Sequence, residues 1–132
     1  MSVTSADFIA IADRLLISEN TEIGWRAVAG RAYYGAFHCC ADAVQSHPSA
    51  VIDYSLPTHE RIFRAANSLP FSATGAADLK RLAYLTMNLR AIRNGADYDI
   101  DAAFLRDHAV QAIAAAKNIE NLRAQFRNKH GI

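Results

Sequence analysis

The sequence predicts an all-α domain, a bundle of five helices with no strand. Three observations predict it. Alanine fills 26 of the 132 positions while glycine and proline supply only 6 and 3, a composition that favours helix over turn-rich sheet folds. Hydrophobic residues make up 52% and charged residues 20%, enough to build one core in a chain of single-domain size, so one domain over residues 1–132 is expected. Long stretches free of proline carry apolar residues at a period near 3.6, and no fixed-length repeat points to a solenoid.

A first helix is expected over about residues 5 to 18, behind a Thr4/Ser5 cap, with Phe8, Ile9, Ala12, Leu15 and Leu16 on one face. After the break at Glu19, Asn20 and Thr21, a long core helix runs from Glu22 to Gln45. Trp25, Val28, Ala29, Ala32, Tyr33, Ala36, Phe37, Cys40 and Val44 form its wide apolar face. Residues 46–57 carry Pro48, Pro57 and several serines, and read as a long loop that can act as a lid. Thr58 is expected to cap a short helix bearing Ile62, Phe63 and Ala66, which ends near Leu69 before Pro70. A fourth helix is placed from Thr74 to Asn94, burying Leu79, Leu82, Leu85, Leu89 and Ile92, with Gly95 as its stop. Asp99 or Asp101 then caps a last helix whose Leu105, Ala109, Ala112, Ala116, Ile119 and Phe126 face the core, and the tail RNKHGI is expected to fray.

A formal charge of +1 excludes a protein that coats nucleic acid by bulk electrostatics, so anion binding has to be local. The basic residues are eleven Arg and three Lys, and the Arg fork suits bidentate contacts to phosphate or carboxylate. Cys39 and Cys40 are adjacent on a helix and read as buried thiols rather than a disulfide. The start MSVTSADF has neither a basic nor an apolar leader region, and no run of about 18 apolar residues is present, so the expected location is the cytoplasm, away from membrane. Phosphate loops, zinc-ligand spacings, Glu-x-x-His pairs and a G-x-S-x-G elbow are missing, and no metal or cofactor is expected.

Two polar stripes interrupt this pattern. On the second helix Arg31, Gly35, His38 and Asp42 recur at steps of four, three and four; on the fourth, Thr86, Arg90, Arg93 and Asp97 do the same. Gly24, Gly30 and Gly35 each cost about 1 kcal/mol against alanine inside a helix, which implies a close approach there, by a ligand or by tightly packed backbone. Arg93 and Asp97 are spaced to form an i,i+4 ion pair. Tyr33 and Phe37 fit the core, whereas Tyr34 and Tyr98 fit a polar edge able to stack on a base.

The segments RAYYGAFHCCADAV (31–44), THERIF (58–63) and LRAIRNGADYD (89–99) resemble the HEPN family, in particular small bacterial members with an R-x-x-A-D-Y signature, over roughly residues 5–125. The resemblance implies an up-and-down bundle of four long helices plus a short extra one, forming a homodimer in which the polar ends of the second and fourth helices face a shared cleft. Many members carry R-x4-6-H, whose Arg and His form a metal-independent ribonuclease site. Others are non-catalytic partners of minimal nucleotidyltransferases in toxin–antitoxin pairs. Here the matching run is Arg93-Asn94-Gly95-Ala96-Asp97-Tyr98, with tyrosine where the catalytic His falls. A phenol ionising near pH 10 is a poor general base at neutral pH.

The leading expectation is therefore a non-catalytic nucleotide- or RNA-binding protein using Arg31, Tyr34, His38, Arg90, Arg93, Asp97 and Tyr98, with a minimal nucleotidyltransferase as partner. The alternative is a metal-independent endoribonuclease in which Arg93 stabilises the transition state and His38, across the cleft, or Tyr98 moves the proton. A third reading makes the Arg and Asp residues ion pairs of a dimer interface. His59 and His108 have no evident partner in the sequence.

Overall fold

The computed structural model describes residues 2–132 and is an all-α bundle: α1 (Ser5–Ser18), α2 (Glu22–Ser46), short α3 (Thr58–Asn67), α4 (Ala76–Tyr98) and α5 (Arg106–His130). No helix is long and apolar enough to cross a membrane among the described residues. The central member is α2, which touches each of the other four. Its apolar face is so wide that Val28, Ala29, Ala32, Tyr33, Ala36, Cys40, Ala43 and Val44 are all fully buried. Register follows from pairs of contacts. Gly24 lies by Glu19 and Gly35 by Ile9, so α1 runs antiparallel to α2. Arg26 reaches Ala96 while Cys40 reaches Thr86, so α4 is antiparallel to α2 as well. Phe104, just before α5, meets Glu22 at the start of α2 and Arg123 meets Asp42 near the far end, which sets α5 parallel to α2.

Caps explain where several helices begin. Thr4 and Asp7 close a reciprocal box on α1, the Asp7 N–H donating to Thr4 Oγ1 at 3.2 Å and the Thr4 N–H to Asp7 Oδ2 at 2.7 Å. Thr21 caps α2 by accepting the Gly24 N–H. Thr58 does not cap α3: it is the first helical residue, after an extended Pro57, and the helix stops at Asn67 rather than Leu69. Nor does α4 begin at Thr74, because the chain first turns through Gly75 at φ 66°. A Cβ there would stand 2.8 Å from both Phe126 and His130, so glycine is required by backbone and by packing alike.

Gly95 does not end α4, which continues to Tyr98. The reason is Arg26, whose guanidinium donates to the carbonyls of Gly95, Ala96 and Asp99 at 3.3, 2.8 and 3.1 Å and to Ala102 O at 2.5 Å, satisfying the end of the helix from outside. Neither Asp99 nor Asp101 caps α5. Asp99 closes α4, and Leu105, 54% exposed rather than in the core, takes the cap position while His108 Nδ1 accepts its backbone N–H. The RNKHGI tail is helical through His130. Asp78 holds His130 Nε2 at 2.9 Å, and Arg123 Nη1 donates to Ile132 O at 2.6 Å. Loop 47–57 is fastened rather than free to close as a lid. His47 bonds Thr74 O at 2.7 Å, and Arg61 donates to Leu56 O and Tyr54 O.

Candidate functional site

Five helices place three aromatic residues of the second one, Tyr33, Tyr34 and Phe37, at the point where the starts of α1 and α3 meet the second half of α4. Tyr33 and Phe37 point inward, as their i,i+4 spacing predicts, and form the floor. Tyr34 is half-buried at the rim and Tyr98 is 71% exposed, so both occupy the polar edge.

Arg93 organises that edge. Its Nε lies 2.8 Å from Asp97 Oδ2, its Nη2 donates to the Tyr34 hydroxyl at 3.2 Å, and its guanidinium carbon is 5.4 Å from the Tyr34 ring and 5.5 Å from that of Tyr98. Arg31 stacks over Tyr34 at 5.2 Å and Phe8 at 5.7 Å. Four expected residues, Arg31, Tyr34, Arg93 and Tyr98, are thus linked by guanidinium–ring contacts, with Asp97 as the carboxylate that pairs with Arg93. His38 is not against Arg93. It stands exposed one turn along α2, its ring 5.3 Å from Phe8 and 5.7 Å from Phe37.

The two polar stripes do not survive intact. Gly35 packs under α1. Asp42 is claimed by Arg123 and Arg127 at 2.7 and 3.2 Å. Thr86 is fully buried and donates back to Leu82 O at 2.8 Å. Gly24 and Gly35 meet the expected close approach, but nothing lies within 4 Å of a Cβ at Gly30.

His59, which has no evident partner in the sequence, has several in the fold. Its ring stacks 4.3 Å from Phe37 and 5.5 Å from Tyr33, and Nδ1 lies 2.5 Å from the Tyr33 hydroxyl. Burial, then the charges of Arg90 and Arg93, then His38, lower its pKa, so the ring is neutral at pH 7. Burial raises the pKa of Tyr33, so its phenol keeps its proton. The hydroxyl has no other partner and donates to Nδ1, which leaves the His59 proton on Nε2, a ring nitrogen with no hydrogen bond among the described residues. His59 therefore presents a neutral N–H donor and lacks the free lone pair that a general base needs.

Because the folded chain resists protonating His59, the unfolded chain takes up the proton first as pH falls below about 6.5. The stability that neutral His59 contributes is complete above that pH and declines as pH drops toward the lowered folded value. Urea unfolding at pH 7.5 and 5.5 should show lower stability at 5.5, and His59→Phe, which keeps the stack, should reduce that difference.

Arg90 has no polar partner: its Nε is buried without one, and the side chain makes no hydrogen bond or ion pair among the described residues. Arg31 likewise has neither. The single carboxylate at the edge, Asp97, is already held by Arg93. Cys39 and Cys40 are free, buried thiols, and burial pushes Cys40 up to about 12, so neither offers a thiolate. No group of three or more His, Cys, Asp or Glu is placed to hold a metal ion among the described residues.

No family model, curated protein or solved structure matches the chain.

Proposed function

We propose that the chain is a HEPN-type bundle that binds a nucleotide or RNA through this edge as a non-catalytic, regulatory component of a toxin–antitoxin or nucleotidyltransferase-linked system. In this reading it is a cytoplasmic homodimer with a minimal nucleotidyltransferase as partner. The observation that carries the reading is Arg90, a guanidinium with no hydrogen bond or ion pair among the described residues, close enough to the neutral His59 ring for its charge to act there. A guanidinium without a carboxylate partner offers an incoming phosphate charge-assisted, bidentate hydrogen bonds. Tyr34 and Tyr98, with arginines already stacked on them, supply faces for a base.

Three features argue against the nuclease alternative: the tautomer of His59, the Asp97 carboxylate held against Arg93, and a tyrosine at position 98. Incubating wild type and Arg90→Ala with labelled single-stranded RNA and labelled nucleotide in EDTA tests the proposal. The expected result is retention without cleavage by wild type, and at least about a tenfold weaker retention by the variant with its helical circular dichroism unchanged. EDTA-resistant cleavage overturns the non-catalytic reading, and absence of retention overturns the ligand.

A further inference from the structure

We infer that the ligand is a single nucleic-acid strand rather than one nucleotide, and that its backbone leaves the Arg93 edge through the groove between α3 and α4. The inference rests on the ligand class proposed above. The groove holds about 320 Å³ and is lined by Glu60, Phe63, Arg64, Asn67, Met87 and Arg90. Glu60, Arg64 and Asn67 follow one another along a single face of α3 at steps of four and three, and Met87 and Arg90 form the facing wall of α4.

Arg90 belongs to both places. Its charge acts on Tyr33 and His59 in the cluster, while its side chain lines the groove. Arg64 is exposed and, like Arg90, makes no hydrogen bond or ion pair among the described residues. At the far end of the same helix, Lys80 Nζ sits on the Ala66 and Asn67 carbonyls at 3.3 and 2.7 Å, adding a third cation. Glu60 is the one carboxylate in the lining, so the groove is net positive.

Arg31 and Arg93 already flank the aromatic edge, where one nucleotide places its base and phosphate. Two further unpaired arginines a short way along, with the Asn67 amide beyond Arg64, match the next phosphates of a continuous backbone. A lone nucleotide leaves them unused. An acidic peptide answers the charge but has no use for stacked arginine–tyrosine faces, which suit bases.

The test measures binding of the full chain to 5′-UMP and to labelled oligouridylates of two, four and eight nucleotides, at two salt concentrations. Affinity should climb at least tenfold from UMP to the longest strand. Arg64→Ala should remove about fivefold of the long-strand affinity, reduce its salt slope by about one unit and leave UMP unchanged, and Arg64→Lys should retain most of the gain. Equal affinity at all lengths, or no effect of Arg64→Ala on the longest strand, overturns the inference while leaving nucleotide binding intact. Failure of every ligand, UMP included, overturns the underlying reading. Displacement of the longest strand by polyglutamate at equal charge concentration assigns the groove to an acidic peptide and overturns the inference as well.

Discussion

Replacing Arg26 with alanine is expected to destabilise the fold by about 3 kcal/mol or more, a fall in Tm of roughly 10 °C. The side chain is 6% exposed and donates to four backbone carbonyls, those of Gly95, Ala96, Asp99 and Ala102, while Glu22 accepts both from its Nη2 and from the Phe104 N–H. Deletion strands the carbonyls and leaves Glu22 with half its partners. Lysine keeps the charge but not the planar fork, so Arg26→Lys should recover less than half of the loss. Urea unfolding of the three proteins checks the order. Arg93, Asp97 and Tyr98 ride on the turns that this guanidinium terminates, so ligand retention should fall with stability. A neutral Arg26→Ala would mean that the end of α4 holds itself.

Two glycines on one helix should respond with opposite signs. A Cβ at Gly35 would sit 2.6 Å from Ile9 Cγ1 and 3.1 Å from Ser5 O, so Gly35→Leu forces α1 away from α2 and should cost about 3 kcal/mol. At Gly30 a Cβ meets nothing within 4 Å, and Gly30→Ala should raise stability by about 0.5–1 kcal/mol through helix propensity. Thermal melts of both variants decide it. Stabilisation by both substitutions would mean that α1 is seated elsewhere.

The helices were legible because apolar periodicity is a local property, and the observed bounds of α1 and the start of α2 coincide with those read from spacing. The ends that were misjudged are those settled by distant groups. Gly95 looks like a stop until Arg26, about seventy residues earlier in the chain, satisfies the carbonyls around it. The tail looks frayed until Asp78 takes His130. Of the candidate-site residues, Arg31, Tyr34, Arg93, Asp97 and Tyr98 were legible from spacing and residue type only together with the resemblance of their segments to the HEPN family. His59 was not, although a signal exists: it shares the apolar face of α3 with Ile62, Phe63 and Ala66, where a polar side chain requires a partner. Arg26 offered the same signal, one turn before Gly30 and two before Tyr33 on the inner side of α2, with Glu22 four residues behind it. Which hydroxyl or carbonyl answers such a residue depends on tertiary contacts, and a single sequence does not contain them.

The central place of α2 has a consequence for how the molecule is made. A helix that touches the other four is made before three of them and completed last. When Ser46 leaves the ribosome, α1 is the one of its four partners already made, and the surface meant for α5 stays bare until α5 itself has emerged, on the order of ten seconds at typical elongation rates. During that interval a row of valines, alanines and aromatics is open to any other apolar surface. Newly made chains therefore depend most on chaperone protection just before α5 is released, and truncations that remove α5 should emerge as aggregates rather than as smaller folded bundles.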